Sequence, residues 1–329
     1  MFRGVLFAAL TVAISMGAPT GAAAQAPKVG VVVKIGGIPW FNVMEEGIRE
    51  RGKALGYDAF MVAPTGTDPA LQVKAIEDLI AQGVKAIGVV PNDAKALAPV
   101  LAKAKQAGIF VITHESPNQA GVDWDFELAT AVAYGEAHAK LLAEKMGGKG
   151  QYAVYVGSLT VPLHNMWADA AIAYLKKNYP DMTMVGDRYG ISEDVDKSRS
   201  TTLDLMAANP DLKAVLCFGG QGPIGAGRAV EERRKVGKFI VVGSVSPRQG
   251  LSLIKNDVIA GGFRWNPRTA GEVFVTIADR LIKGQPIKDG DTIEGLGIVH
   301  PDFANRTITV NGLINLDKTS VDKMAAMGL

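Results

Sequence analysis

The sequence predicts an α/β protein of two Rossmann-like lobes, each with a parallel sheet, joined by a multi-strand hinge and with a ligand cleft between them. Strand-like runs alternate with amphipathic helical stretches along most of the chain. The runs are continuously apolar and rich in β-branched residues, which is typical of parallel strands buried on both faces. A polar stretch without periodicity, 115–126, divides the alternation into two series.

Residues 1–24 have the layout of a secretory signal peptide. Arg3 precedes an apolar stretch from Val5 to about Met16, and small residues then lead to a cleavage pattern formed by Ala22 and Ala24. We therefore expect the mature chain to start after residue 24 and the protein to be exported. An uncleaved membrane anchor is the alternative, which the shortness of the apolar run disfavours.

The first series contains four predicted strands separated by three helices. The strands are 28–34, 57–64, 84–90 and 109–114, and the helices are 41–55, 68–83 and 95–108. Within the second helix Leu71, Ile76 and Leu79 recur near helical spacing. This order is that of consecutive strand–helix units in a parallel sheet.

The second series repeats the same rhythm after the polar break. Predicted helices cover 127–146 and begin near 165, 194, 223 and 269, and predicted strands cover 151–158, 214–219 and 239–244. The segments 182–190 and 258–267 precede two of these helices, and the tail from 286 onward is richer in strand and turn signals. The chain therefore predicts two α/β units of similar build.

The two series imply two lobes that share one cleft. Ligands of open parallel sheets bind beyond the carboxyl ends of the strands, so two facing sheets direct both sets of strand ends into the same space. We assign 25–118 and 267–300 to the N-terminal lobe, and 119–266 and 301–329 to the C-terminal lobe. The hinge segments are expected near 115–125, 264–268 and around 300.

Composition excludes several classes of function. The chain has 329 residues, 48% of them apolar, and a net charge of +2 with no long basic block, so a nucleic acid partner is not expected. Cys217, in an apolar run, is the only cysteine and fits a buried small hydrophobe better than a catalytic thiol. The histidines have no metal-ligand spacing, so we expect no metal site and no cofactor.

A glycine motif at 220–225 reads GQGPIG and matches the dinucleotide fingerprint between a strand and a helix. That fingerprint needs an acidic residue about 20 positions on, but Ser244, Val245 and Ser246 stand there. We therefore expect no dinucleotide. The enzyme motif G-x-S-x-G is also absent, and no carboxylate pair stands out.

Aromatic and hydrogen-bonding residues follow the predicted strands on both lobes. The candidate ligand-binding residues are Lys34, Trp40, Phe41, Glu115, His164, Asn165, Gln221, Trp265 and Asn266. A sugar ring has apolar C–H faces and a girdle of hydroxyls, so it suits rings above and below with donors and acceptors around the edge. The set therefore predicts a site for a small sugar-like ligand.

Several of these candidate residues could instead have a purely structural role. Trp40 and Phe41 could be core residues that open a helix, His164 could be a structural histidine, and Glu115 could cap a helix. Lys34 ends a buried strand, an unusual place for a charge unless another group pairs with it.

The chain from 28 to near its end resembles the periplasmic sugar-binding proteins of ABC importers, in the branch that binds ribose and autoinducer-2. The stretches that carry this resemblance are KVGVVVKIGGIPWFNVMEEGIRERGKALGY, VVPNDAKAL, GIFVITHES, NPDLKAVLCFGGQGPIGAGRAV, KFIVVGSV and GGFRWNPRTAGE. The resemblance implies a type I periplasmic binding protein that closes on its ligand and hands it to an inner-membrane ABC permease.

The resemblance also implies roles for single residues. Trp40 and Phe41 would stack on the ligand, and Glu115 would accept its hydroxyls. Lys34 stands where the autoinducer-2 branch has a lysine. Polar residues before the first helix of the second lobe fall near His164 and Asn165, and the residue after GGF falls on Trp265 or Asn266.

Departures from the family pattern prevent the transfer of a particular ligand. Ribose binders have an Asn-Asp pair at Gly219 and Gly220 and an Asp at Val245, and the autoinducer-2 branch has an Asp-Gln pair at Leu163 and His164. The sequence thus predicts a monomeric periplasmic receptor that captures a monosaccharide or related polyol for an ABC importer. The alternatives are an autoinducer-2-like signal receptor or sensory adaptor, and an exported sugar-active enzyme.

Overall fold

The computed structural model describes Met1 and residues 25–329, which form two parallel sheets flanked by helices. The predicted signal peptide lies, apart from Met1, outside the described residues. None of the helices within 25–329 combines the length and the apolar character needed to cross a membrane. The predicted α/β class with parallel sheets is confirmed.

The first sheet has six parallel strands in the order β14-β5-β4-β3-β1-β2. These strands are β1 (Lys28–Val32), β2 (Asp58–Val62), β3 (Ala86–Val89), β4 (Phe110–His114), β5 (Trp124–Glu127) and β14 (Thr307–Thr309). Its helices are α1 (Pro39–Leu55), α2 (Pro69–Ala81), α3 (Ala94–Gln106) and α9 (Pro267–Ile282). A two-stranded hairpin of β12 (Thr292–Ile293) and β13 (Gly297–Ile298) follows α9.

Two glycines allow α1 and α9 to pack in close contact. A Cβ atom on Gly47 would lie 2.1 Å from the carbonyl oxygen of Arg268, and one on Gly271 would lie 2.1 Å from that of Met44. Both distances are far below a van der Waals contact, so only glycine fits at either position. This contact brings the last long helix of the chain back onto the first lobe.

The second sheet has the order β10-β9-β6-β7, with β8 also paired to β6. Its strands are β6 (Gly150–Val156), β7 (Met182–Met184), β8 (Tyr189–Gly190), β9 (Leu212–Phe218) and β10 (Ile240–Gly243). Its helices are α4 (Ala131–Met146), α5 (Pro162–Asn178), α6 (Val195–Ala208), α7 (Gly222–Glu232), α8 (Pro247–Lys255) and α10 (Val321–Ala326). An antiparallel pair, β11 (Gly262–Arg264) with β15 (Ile314–Leu316), completes this lobe.

Local sequence signals place helix N-termini at the ends of the strands. Pro39, Pro162 and Pro267 open α1, α5 and α9, where the missing backbone N–H leaves no hydrogen bond unmade. Asp93 and Asp194 cap α3 and α6 by accepting hydrogen bonds from two backbone N–H groups each. The side chains that follow each strand are therefore directed to the same edge of each sheet.

The strand pairing differs from the predicted lobe boundaries. The turn at 115–123 returns the chain to the first sheet as β5, and β14 also joins that sheet, although 119–266 and 301–329 were assigned to the second lobe. The lobes are connected at 128–130, 265–266 and 310–313. We propose lobes of 25–127 with 267–309, and of 131–264 with 314–329.

Backbone hydrogen bonds tie two of these connections together. The N–H of Val310 donates to the carbonyl of Glu127 at 2.9 Å, and the N–H of Gly312 donates to the carbonyl of Leu128 at 2.7 Å. The connections at 128–130 and 310–313 therefore run side by side as paired segments. The third connection, between β11 and α9, lies within the segment 264–268, whose role as a hinge stays a prediction.

Candidate ligand-binding site

A cavity lies between the lobes, at the carboxyl ends of the strands of both sheets. Its lining residues are Lys34, Ile38, Trp40, Phe41, Glu115, Tyr134, His164, Trp167, Glu193, Gly219, Gly220, Ser244 and Trp265. The cavity is the cleft that the sequence predicts.

Aromatic rings from four parts of the chain form its apolar wall. Trp265 lies in the connection between the lobes, with its ring centroid 5.6 Å from that of Trp40, 5.5 Å from Trp167 and 5.2 Å from Tyr134. Trp40 begins α1, Tyr134 lies in the first turn of α4 and Trp167 lies near the start of α5. The rings meet because all three helices begin at the cleft.

Lys34 and Glu115 form a buried ion pair on the first lobe. Their side chains are 1% and 5% exposed, and Lys34 Nζ donates to Glu115 Oε2. Burial acts to raise the pKa of Glu115, but the ammonium group of Lys34, together with His164 and His114, outweighs burial and holds this pKa well below its usual range. Glu115 also has a φ of 61°, a left-handed conformation that non-glycine residues rarely adopt and that often marks functional positions.

Hydrogen bonds position Lys34 at the end of β1. Asn92 donates through Nδ2 to the carbonyl of Lys34 at 2.9 Å, and the side chain of Gln72 donates to the carbonyls of Val33 and Val90. These buried amides satisfy the backbone groups that the strands leave unpaired at the cleft. The backbone of Lys34 is therefore held in place.

His164 faces this ion pair from the second lobe. Its Nδ1 accepts a hydrogen bond from the backbone N–H of Gly157 at 3.0 Å, and its Nε2 lies 2.9 Å from Lys34 Nζ and 3.7 Å from Glu115 Oε2. Burial lowers the pKa of His164 to about 4, so the ring is neutral at pH 7. Because Nδ1 is an acceptor, the neutral ring carries its proton on Nε2.

A buried guanidinium supports Trp40 from the second lobe. Arg264 is 1% exposed, its Cζ lies 5.1 Å from the Trp40 ring centroid, and its Nε donates to the carbonyl of Trp265 at 3.2 Å. Burial lowers the pKa of Arg264 to about 10, which leaves it charged at pH 7. The contact holds Trp40 through a cation–π interaction.

The structure brings six of the nine predicted residues to the cavity. They are Lys34, Trp40, Phe41, Glu115, His164 and Trp265. Trp40 is only partly buried, whereas Phe41 is 3% exposed and packs in the hydrophobic core. Contact between these six residues and a ligand stays a prediction.

The other three predicted residues do not line the cavity, because each has a partner nearby. Asn165 donates to the carbonyls of Ser158 and Val161, Gln221 pairs with the side chain of Gln249, and Asn266 caps α9. Short polar side chains next to a helix start often bond to the local backbone. These local partners could not be predicted from the position of the three residues after a strand alone, and contact between them and a ligand stays a prediction.

Five cavity side chains were missed by the sequence analysis, those of Ile38, Tyr134, Trp167, Glu193 and Ser244. Trp167 lies three residues after His164, on the same face of α5, so helical spacing could have identified it. Ser244 directly follows β10, and Glu193 follows β8, a strand of two residues that gives almost no sequence signal. Tyr134 lies within the helix after the first connection and does not directly follow a strand, so the rule used to choose the candidate residues could not identify it.

Within residues 25–329, no three His, Cys, Asp or Glu side chains converge as metal ligands. Cys217 is buried, and burial raises the pKa of its thiol above the usual range. This fits the predicted structural role of Cys217.

The fold and the cleft define a two-lobed solute-binding protein. The chain belongs to the periplasmic binding protein domain family, whose sequence profile matches residues 29–286. The predicted resemblance to the sugar-binding members of this class is confirmed, as is the prediction of a binding protein instead of an enzyme.

Curated relatives cover most of the chain at low identity. The ribose import binding protein of Bacillus subtilis is 24% identical over 262 residues, which is 79% of this chain and 83% of that protein. The ribose import binding protein of Haemophilus influenzae is 23% identical and covers 85% of this chain and 94% of that protein. A xylitol-binding protein of Mycolicibacterium smegmatis is 28% identical over 67% of this chain and 63% of its own length.

Solved structures share the fold. A solute-binding protein of an ABC transporter from Clostridium phytofermentas with bound L-rhamnose superposes with a TM-score of 0.85, 22% identity and coverage of 93% of this chain and 100% of that chain. LsrB from Clostridium saccharobutylicum in complex with AI-2 superposes with a TM-score of 0.84 and is 18% identical. The match covers 90% of this chain and 99% of that chain. These similarities establish the architecture of the chain.

Proposed function

We propose that the protein captures a monosaccharide or related polyol in the cleft between its lobes and delivers it to an ABC permease. The observation that carries this proposal is the cavity itself, where rings from both lobes surround a polar cluster of Lys34, Glu115 and His164. Apolar ring faces with a few convergent polar groups suit a molecule that has both C–H faces and hydroxyls.

The hydrogen-bonding inventory supports a ligand that both donates and accepts. The Nε2–H of His164 and the ammonium of Lys34 are both donors, so their contact at 2.9 Å lacks an acceptor. The indole N–H groups of Trp167 and Trp265 are buried and have no partner among the described residues. A hydroxyl oxygen placed between such donors would satisfy them and could donate to a carboxylate in turn.

Closure of the cleft is the mechanism we propose for capture. The lobes already touch at the rim, where Thr160 Oγ1 donates to the carbonyl of Asn92 at 3.0 Å, and at the floor through Lys34 and His164. A ligand that contacts both lobes stabilises the closed arrangement by its differential affinity for that state. The three connections at 128–130, 265–266 and 310–313 would act as the hinge.

We further propose that the protein is periplasmic and monomeric and binds no nucleic acid. The net charge of +2 without a basic block, the predicted export signal and the family support this assignment. The relatives from Bacillus subtilis and Haemophilus influenzae are ribose import binding proteins, which supports a membrane permease as the partner.

An autoinducer-2-like signal molecule is the second candidate ligand. Lys34, which the sequence resemblance relates to the autoinducer-2 branch, is buried at the cavity and bonded to Glu115. The same cleft would then serve a signal receptor or a sensory adaptor.

Isothermal titration calorimetry against one panel tests both candidates. The panel contains D-ribose, D-arabinose, D-allose, L-rhamnose, xylitol and autoinducer-2. Binding of a neutral sugar or polyol supports the import function, and binding of autoinducer-2 alone supports the signal function. Heat from none of the six would contradict both, and turnover of a bound sugar in a product assay would restore the enzyme alternative.

A further inference from the structure

Glu193 brings a second carboxyl group into the cavity, from the loop between β8 and α6. Its side chain is 8% exposed and lines the cavity. No donor within residues 25–329 lies in hydrogen-bond distance of it, and its nearest basic atom is Nε2 of His164 at 3.9 Å. Glu115, by contrast, is paired with Lys34. A largely buried carboxyl group that lacks a protein partner is stabilised when a ligand supplies a donor.

The atoms of His164 and Glu193 define what such a ligand must offer. Gly157 fixes the tautomer of His164, so Nε2–H is a donor, while an ionised Glu193 only accepts. One oxygen atom can lie about 2.8 Å from both Nε2 and Oε1 when these atoms are 3.9 Å apart. A hydroxyl fits this place because it accepts from His164 and donates to Glu193.

Other ligand groups cannot both accept a hydrogen bond from His164 and donate one to Glu193. A carboxylate oxygen would accept from His164 but would face the negative charge of Glu193. An ammonium group would donate to Glu193 but cannot accept from His164. A deoxy position would leave both buried groups without a partner.

We propose that Glu193 determines ligand specificity by binding, together with His164, one hydroxyl group of the ligand. The cavity would thereby select neutral polyols over sugar acids and amino sugars. This inference rests on the proposed function, since it assumes a ligand of the sugar type in the cleft.

The same geometry links binding to pH. Burial raises the pKa of Glu193 to about 7, with Glu115 also raising it and Lys34 lowering it. A ligand that needs the ionised carboxylate lowers this pKa on binding, so affinity falls as pH falls below about 7. Glu115 stays ionised and His164 stays neutral between pH 5.5 and 8.5.

Two buried acids outside the cavity also have raised pKa values. Burial raises the pKa of Asp125 to about 7 and also raises that of Glu127, and both residues lie on β5 and do not line the cavity. A Glu193 variant therefore separates the two sources of pH dependence. If Asp125 or Glu127 were responsible, the dependence would persist when Glu193 is replaced.

Calorimetry of the purified protein tests the inference with three proteins: wild type, Glu193→Gln and the exposed control Glu231→Gln. The neutral probes are the five sugars and polyols of the panel above, D-ribose, D-arabinose, D-allose, L-rhamnose and xylitol. The acidic probes are D-ribonate, D-arabinonate and D-xylonate, and each probe is measured at pH 5.5 and 8.5. Loss of a charged hydrogen bond should weaken binding of the best neutral probe to Glu193→Gln about 10-fold at pH 8.5. Wild type and the control should bind it up to about 10-fold more weakly at pH 5.5, because a protonated Glu193 binds as Glu193→Gln does, and Glu193→Gln should show no such change.

The failures are distinguishable. A neutral probe that binds wild type and Glu193→Gln with equal affinity at both pH values would overturn the role of Glu193 and leave the proposed function intact. Tighter binding of an acid than of its neutral counterpart to wild type would also overturn the inference. If no probe binds wild type, the result contradicts the proposed function and therefore also this inference. Circular dichroism of Glu193→Gln confirms that the variant is folded, and Glu193→Asp provides a second variant if it is not.

Discussion

Nε2 of His164 lies 2.9 Å from Nζ of Lys34, and this contact joins the two lobes across the cleft. Lys34 follows β1, the first strand of the first lobe, and His164 lies at the start of a helix in the second. Lys34 also pairs with Glu115, so three ionisable groups meet at the floor of the cavity. Opening of the cleft must separate His164 from the other two, and a ligand that enters there contacts both lobes.

The first prediction concerns the two adjacent aromatics at the start of α1. Trp40 is partly exposed at the cavity, so Trp40→Ala should weaken binding of the best panel sugar by about 1–3 kcal/mol with little loss of stability. Phe41 is buried in the core, so Phe41→Ala should lower the free energy of unfolding by about 3–5 kcal/mol. Calorimetry and urea denaturation measure the two effects. A folded but strongly destabilised Trp40→Ala with unchanged affinity would mean that Trp40 acts as a core residue.

The second prediction concerns the buried ion pair. Lys34→Met leaves the Glu115 carboxylate buried without its counter-ion, which should cost about 3–5 kcal/mol of stability at pH 8. Lys103→Met, which removes an exposed pair with Glu77, is the matched control and should cost no more than about 1 kcal/mol. Urea denaturation measures both variants.

The pH dependence of that loss follows from the pKa of Glu115. Because Lys34 lowers the folded pKa, the stability from the pair is present above the unfolded value, about 4.3, and is lost as pH falls through the folded value. The difference between wild type and Lys34→Met should therefore shrink on acidification. A difference that stays constant down to pH 3 would contradict the assigned pairing.

The third prediction concerns two buried acids on β5. Asp125 and Glu127 lie two residues apart, and burial raises the pKa of both, that of Asp125 to about 7. A raised folded pKa in an acid means that the native state binds more protons, so the pair lowers stability as pH rises from about 4 to 7. Asp125→Asn should therefore raise the free energy of unfolding at pH 8 by about 1–3 kcal/mol and much less at pH 5.

The measurement for the acid pair is urea denaturation at the two pH values. The exposed Asp211→Asn is the control and should change stability by less than about 0.5 kcal/mol at either pH. Equal effects of Asp125→Asn at pH 5 and pH 8 would mean that Asp125 titrates in its ordinary range.

The fourth prediction concerns the contact between α1 and α9. A Cβ on Gly47 would lie 2.1 Å from the carbonyl oxygen of Arg268, so Gly47→Ala must push the helices apart and should cost about 1–3 kcal/mol or more. Gly66→Ala is the control, because its Cβ would lie 3.6 Å from the nearest atom, a methyl of Leu71. Thermal unfolding measures both. If Gly47→Ala melts at the control temperature, the helices do not pack this closely.

Much of the fold could be predicted from local patterns. The continuous apolar runs at 28–34, 84–90, 109–114 and 214–219 match strands of the structure, because burial on both faces requires such runs. The predicted helix starts lie within about four residues of those in the structure, and Pro39, Pro162 and Pro267 would have placed three of them directly. For the site, residues directly after long strands, such as Lys34 and Glu115, could be identified by the same rule.

The sequence by itself determined the two α/β series, the positions of the long strands and helices, and six residues that line the cavity. Tertiary structure alone decided the pairing of β14 with β5, the paths of the hinge and the convergence of Tyr134, Trp167 and Glu193 with Lys34. Hydrophobic periodicity reports only which faces of an element are buried, and it does not specify the distant partner that covers them. Tertiary structure also decided why Lys34 lines the cavity whereas Asn165, Gln221 and Asn266 do not. A polar side chain after a strand bonds to whichever partner the folded chain brings within hydrogen-bond distance.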